Sequence, residues 1–162
     1  MATVMIRPVP IEQEPKRKNR FYLEFPTELN IESYLVQTSG KPKLTINSVE
    51  IPYQNTSNFV LGRAKWETMD IEFLDVIGPS TTQKVLDWVR LGFESATGQM
   101  GYAVGYKKNL VLKALDPVGV DVEKWTLIGC QITSYDTDSY DYGSDDIIKV
   151  KITIQPDRCL LG

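Results

Sequence analysis

The sequence predicts a β-rich α+β domain of six or seven strands and a single helix. Three observations carry that prediction. Apolar and polar residues alternate at period two in several stretches, one segment has helical spacing behind a helix-start signal, and turn residues separate the pieces. No internal repeat is present.

In chain order, residues 1–19 hold three prolines and the basic run Lys16-Arg17-Lys18, and read as an extended N-terminal arm. Phe21 to Phe25 is a short aromatic strand stopped by Pro26. Lys43 to Ile51 is a second strand, stopped by Pro52, and the polar stretch Gln54 to Asn58 then breaks regularity. A third strand runs from Ala64 to Leu74. Along it Met69, Ile71 and Phe73 share one face, and Thr68, Asp70 and Glu72 the other, the pattern of a half-buried strand.

Gly78-Pro79 ends that strand, and Ser80 with Gln83 matches a capping box. Val85, Trp88, Val89 and Gly92 recur at helical spacing, so an amphipathic helix is expected over about 81–95. Arg90 suits the negative end of its dipole. Gly98, Gly101 and Gly105 mark a loop. Strands return at Leu110 to Leu115 and Val120 to Thr133, joined through the type I turn Asp116-Pro117-Val118-Gly119. The last strand is the cleanest, with Ile148, Val150, Ile152 and Ile154 against Lys149, Lys151, Thr153 and Gln155.

Composition narrows the function. The 162 residues fit one domain, 1–162, large enough to bury a core without metals or disulfides. A net charge of −3 supplies no general attraction to DNA or anionic membranes. No apolar run is long enough to span a bilayer, and no signal-peptide pattern opens the chain. Cys130 and Cys159 sit in apolar strand contexts and read as small buried side chains in a reducing compartment. The chain has no histidine, which removes Ser-His-Asp and Cys-His catalysis and histidine metal sites.

Each remaining chemical candidate has a plainer reading. The stretch from Asp136 to Asp146 could hold a hard cation through alternate carboxylates. It departs from the EF-hand, with Tyr140 at the fifth position and Asp141 in place of the glycine, and an acidic solvated connection is favoured. The three glycines of 98–105 lack a following Gly-Lys-Ser/Thr and are read as a flexible loop. Asp70, Glu72 and Asp75 could form a carboxylate pair, but nothing places a second group opposite them. Tyr102, Tyr106, Trp125, Tyr135, Tyr140 and Tyr142 lack the interleaved basic residues of a base-stacking surface. No catalytic residue, metal or cofactor is expected.

Several motifs stand in order: Asn19-Arg20-Phe21 at the first strand, the run Trp66 to Phe73 leading into a helix, and Lys84-Val85-Leu86-Asp87-Trp88 with an apolar-Asp-Trp step. Tyr106-Lys107-Lys108, Trp125 to Cys130, and Tyr140-Asp141-Tyr142 before the terminal strand follow. Together, over roughly 19–160, they resemble the tail tube protein family of contractile-tailed bacteriophages. One departure stands after Gly129, where the family often has a bulky residue and a proline and this chain has Cys130-Gln131.

The resemblance implies a β-sandwich or barrel-like domain with a flanking helix, shared in fold with type VI secretion tube subunits. It implies hexameric rings stacked into a hollow conduit for genome ejection, or, as the alternative, the tube of an injection or secretion particle. A monomeric β-sandwich binding module is the rival outside this class. Implied partners are further copies of the chain, sheath, baseplate, tail terminator and tape measure proteins, and double-stranded DNA in passage. The subunit is expected in the virion tail after assembly in host cytoplasm, with no membrane insertion. On this basis the third strand suits a neighbour-pairing edge whose polar residues Thr68, Asp70 and Glu72 line the lumen. Arg17, Lys18, Tyr53, Asn55, Asn58 and Phe59 are candidates for contacts between rings.

Overall fold

The computed structural model describes residues 10–162. Its elements in order are β1 Phe21–Glu24, β2 Val36–Ser39, β3 Leu44–Tyr53, β4 Thr56–Trp66, β5 Met69–Leu74, α1 Thr81–Gly92, α2 Ala103–Tyr106, β6 Lys108–Leu115, β7 Asp121–Thr137, β8 Lys149–Gln155 and β9 Arg158–Leu161. Residues 1–9 of the expected arm lie outside the described residues.

Seven strands form one antiparallel sheet in the order β1-β6-β7-β8-β5-β2, with β9 also pairing β7. The period-two alternation explains which face is covered. Met69, Ile71 and Phe73 of β5 and Val150, Ile152 and Ile154 of β8 lie in register and are buried. Their polar neighbours stay on the outer face. The 17-residue β7 carries the sheet round a corner, its first half pairing with β6 and β9 and its second half with β8.

Gly129 sits at that corner with φ +68°, a conformation that L side chains avoid. A Cβ there would meet the Asp157 carboxylate, so that side chain would have to move to admit one. The strand continues through Cys130-Gln131 to Thr137, and the departure from the family pattern does not interrupt it.

Helix α1 closes the core. Val85 and Trp88 are buried, and Trp88 Nε1 donates to the Tyr106 carbonyl at 2.8 Å, tying α1 to α2. The expected capping box does not form. Ser80 makes no side-chain cap, and Asp75 receives the Thr82 N–H at 3.4 Å and the Thr82 hydroxyl at 2.9 Å. The helix stops at Gly92 rather than Ser95, because Phe93 turns extended and bridges Met100. The glycine loop holds the short helix α2.

The hairpin β3–β4 stands apart as a separate two-stranded sheet. The expected irregular stretch after Pro52 is instead a tight turn at Gln54-Asn55, and β4 begins at Thr56. The expected third strand is thereby divided, ending as β4 at Trp66 and restarting as β5 at Met69.

Candidate assembly surfaces

Three surfaces gather the residues singled out from the sequence. The first is the outer face of the sheet. In register across three strands stand Asp136, Lys151 and Glu72, and beside them Ser134, Thr153 and Asp70. The Thr153 hydroxyl donates to Asp70 Oδ1 at 2.7 Å, and Lys151 Nζ lies 3.8 Å from Asp70 Oδ2. The carboxylates Asp70, Glu72 and Asp136 outnumber Lys149 and Lys151, so this face has no surplus of positive charge. Thr68 lies just before β5, in the break after β4.

The structure corrects the edge expected of this strand. β5 is flanked by β2 and β8, so its backbone is already paired on both sides. The open edges of the sheet path are β1 and β2. Asp75 is also parted from Asp70 and Glu72, being bound to the start of α1.

The second surface is the hairpin. Every residue of β3 is exposed, and so is nearly all of β4. Leu44, Ile46, Leu61 and Phe59 lie on one face, while Val49, Val60, Ile51 and Tyr53 lie on the other. Tyr53 and Phe59 are about two-thirds exposed, at 67% and 66%. Asn55 and Asn58 are exposed beside them near the tip. At the base, Trp66 packs edge-on against Trp125 at 6.2 Å, and Gln155 Nε2 donates to the Trp66 carbonyl at 2.7 Å.

Ten residues of strand extend about 33 Å, and an isolated two-stranded hairpin is marginal in water. The arm presents exposed apolar side chains on both faces and an unpaired backbone edge on each strand. Pro52, the bulge near Gly62, and Lys65 limit indiscriminate pairing along those edges.

The third surface surrounds the chain from Lys16 to Arg20. Lys16 pairs with Glu123, and Lys41 reaches the same carboxylate at 3.2 Å. The Lys16 hydrogen bond, then that of the Trp125 indole, holds Glu123 well below the usual carboxylate range, at about 2. This part of the arm is thus tied to the body, whereas Arg17 and Lys18 are exposed and make no ion pair among the described residues.

The remaining candidates do not converge. Tyr140 and Tyr142 are exposed in the acidic loop, Trp125 packs at the hairpin base, and Tyr135 is partly buried, its hydroxyl pushed up by desolvation. Among the described residues no three Cys, Asp or Glu side chains form a metal-holding group. Cys130 and Cys159 are free and buried, and burial pushes their thiols up to about 12 and about 11. Among the described residues no helix is long and apolar enough to cross a membrane.

No family model and no curated protein matches the chain by sequence. Solved structures do match in shape. The anti-feeding prophage tube-terminating cap (AFP) aligns with TM-score 0.77 at 15% identity, over 99% of each chain. The sheath-tube complex of an extracellular contractile injection system (PVC, extended state) aligns at 0.72 and 17% identity, over 91% of each. Hcp1 from Flavobacterium johnsoniae aligns at 0.55 and 11% identity, over 88% of this chain and 94% of that one. The chain has the tail-tube fold expected from its sequence, a mainly β domain with one principal flanking helix.

Proposed function

We propose that this chain is the repeating structural subunit of a tail tube, forming hexameric rings that stack into a hollow conduit. The observation that carries the reading is the β3–β4 hairpin, which exposes apolar side chains on both faces and open edges on both strands. Its burial between neighbours removes that surface from water at about 25 cal/mol per Å². A stable contact needs only about 1,000 Å² in total. Tyr53, Asn55, Asn58 and Phe59 near its tip make the contact between rings, with Arg17 and Lys18 of the arm nearby in role. The open edges β1 and β2 are available for pairing around a ring.

The outer face of β5 and β8 lines the lumen through Thr68, Asp70 and Glu72. Its mixed, slightly acidic charge supports passage of DNA, because surplus lysines would hold phosphates through counterion release. The role is structural, not catalytic. In a phage tail the conduit ejects the genome, with sheath, baseplate, tail terminator and tape measure proteins as partners in the virion.

A second reading has its own support: the similar PVC structure belongs to an extracellular contractile injection system, and a tube of the same fold in such a particle would carry protein. Negative-stain microscopy across a concentration series tests the shared conclusion. Rings or tubes with a central channel are expected. Particles that stay monomeric even with baseplate components would retire it in favour of a binding module.

A further inference from the structure

A groove of about 480 Å³ opens between the arm, β2 and the start of β7. Its floor is apolar, with Phe21, Leu112 and Trp125, and its rim is cationic, with Arg17, Lys18, Lys41 and Lys113. Lys113 is held by Glu24 at 2.8 Å and by Asp121 at 3.4 Å, and Lys41 by Glu123. Arg17 and Lys18 are rim cations that are exposed and have no carboxylate partner among the described residues.

The complementary composition occurs once in the chain, in the loop between β7 and β8. Asp138, Asp141, Asp145 and Asp146 alternate there with Tyr140 and Tyr142, two tyrosines that stand fully in solvent. Rings and carboxylates together match an apolar floor with a cationic rim, through burial, cation–π contact and charge pairing.

The two surfaces do not meet within this chain: Tyr140 and Tyr142 stand in solvent, and the groove is lined from the arm, β1, β2, β6 and the start of β7, with no residue of the 138–146 loop. Complementary patches at two different places on one subunit make a heterologous, head-to-tail contact, which propagates from copy to copy.

We infer that the Tyr140–Asp146 loop of one copy docks into the Arg17–Lys18 groove of the next. This rests on the tube reading and specifies one of its contacts. The loop's tyrosines seat on Phe21 and Trp125, and its carboxylates meet the free rim cations.

Charge reversal in the full chain tests the contact, with assembly followed by sedimentation and microscopy. Arg17→Glu with Lys18→Glu, and separately Asp145→Lys with Asp146→Lys, should each raise the concentration needed for assembly about tenfold. Combining all four substitutions should restore it to within about threefold of the parent. The parent's assembly should also weaken from about 50 to about 500 mM salt, as screening shortens the Debye length.

A synthetic peptide of residues 136–147 supplies a readout independent of tubes. It should bind the full parent chain and fail to bind the Arg17→Glu/Lys18→Glu variant. Tubes that form unchanged in both reversal variants, with no peptide binding, would overturn the docking and leave the tube reading standing. Peptide binding by a parent that never assembles would support the groove and retire the tube. Duplex DNA that displaces the peptide, without any rescue by the four-fold swap, would name nucleic acid as the occupant and overturn the inference.

Discussion

Strands β8 and β3 read alike in sequence but end in opposite surroundings. Val150, Ile152 and Ile154 of β8 are wholly buried, while Val49 and Ile51 of β3 remain 48% and 50% exposed. β8 keeps one alternation throughout while that of β3 shifts phase between Ile46 and Val49, and both pair along their length with an antiparallel neighbour. The difference lies in what covers them. β8 shares one buried cluster with Phe73 beside it and with Val85 and Trp88 of α1, whereas among the described residues nothing covers the hairpin beyond its base. The buried cluster lies in the sheet body, and the hairpin leaves its apolar side chains exposed.

That division predicts where folding stability resides. Trp88→Ala should cost about 3–5 kcal/mol, since it leaves a cavity in the core and the Tyr106 carbonyl without its donor. Urea unfolding followed by circular dichroism reads it directly. A loss below about 1 kcal/mol would mean that α1 is not part of the stabilising roof. Gly129→Ala should cost about 1–3 kcal/mol, because the residue must hold a left-handed conformation and its Cβ would strike Asp157. The same denaturation measurement applies, and a neutral result would show that β7 can turn its corner another way.

Legibility followed the same division. The alternation in β5 and β8 and the spacing of Val85 and Trp88 foretold the core faces, because burial imposes the pattern that sequence reading detects. The hairpin was misread where it matters most. Thr56, Ser57 and Asn58 look like a loop because an arm without a solvent-free side imposes no period on its residues. β2 and β9 are only four residues each, too short for any period to show. Asp75 could not be foreseen as the partner of Thr82, because the local Ser80–Gln83 pattern offered a nearer explanation. The groove unites residues as distant as Arg17, Lys41, Lys113 and Glu123, and such a site exists only after folding. The lumen candidates Asp70 and Glu72 were placed correctly on a polar face, but the pairing of β5 with both β2 and β8 is non-local and no alternation reveals it.

A smaller effect concerns the arm, which lies between the two regimes. Glu123 is held at about 2, chiefly by its hydrogen bond from Lys16 and next by that from Trp125. Its folded pKa is depressed, so the stability it contributes is fully present above the unfolded value near 4.5. That stability is lost as pH falls through about 2. Because Lys16 is largely exposed, the contribution should be about 1 kcal/mol or less. Urea titrations of the parent and Glu123→Gln should differ at pH 7 and converge between pH 4.5 and 2. A constant gap over that window would show that the arm is not anchored through this carboxylate.

The smallest effect on folding should accompany the largest on assembly. Ile51 and Phe59 lie on opposite faces of the hairpin, and both are exposed. Ile51→Lys and Phe59→Lys should each leave the stability of the isolated subunit within about 0.5 kcal/mol of the parent, as exposed substitutions usually do. In the assembled state each would bury a charge against an apolar neighbour, and such desolvation is costly. Rings or tubes should therefore disappear at concentrations where the parent forms them. The two variants also sharpen the comparison between body and hairpin, because each probes one face. Loss of assembly from both would show the arm clasped between neighbours, as its two apolar faces require. Loss from Phe59→Lys alone would mean that only the face bearing Leu44, Ile46 and Leu61 is covered, leaving Val49, Val60 and Tyr53 on the open side of the tube wall. A fall in folding stability of several kcal/mol from either one would break the comparison, by showing that the hairpin already belongs to the subunit's own core.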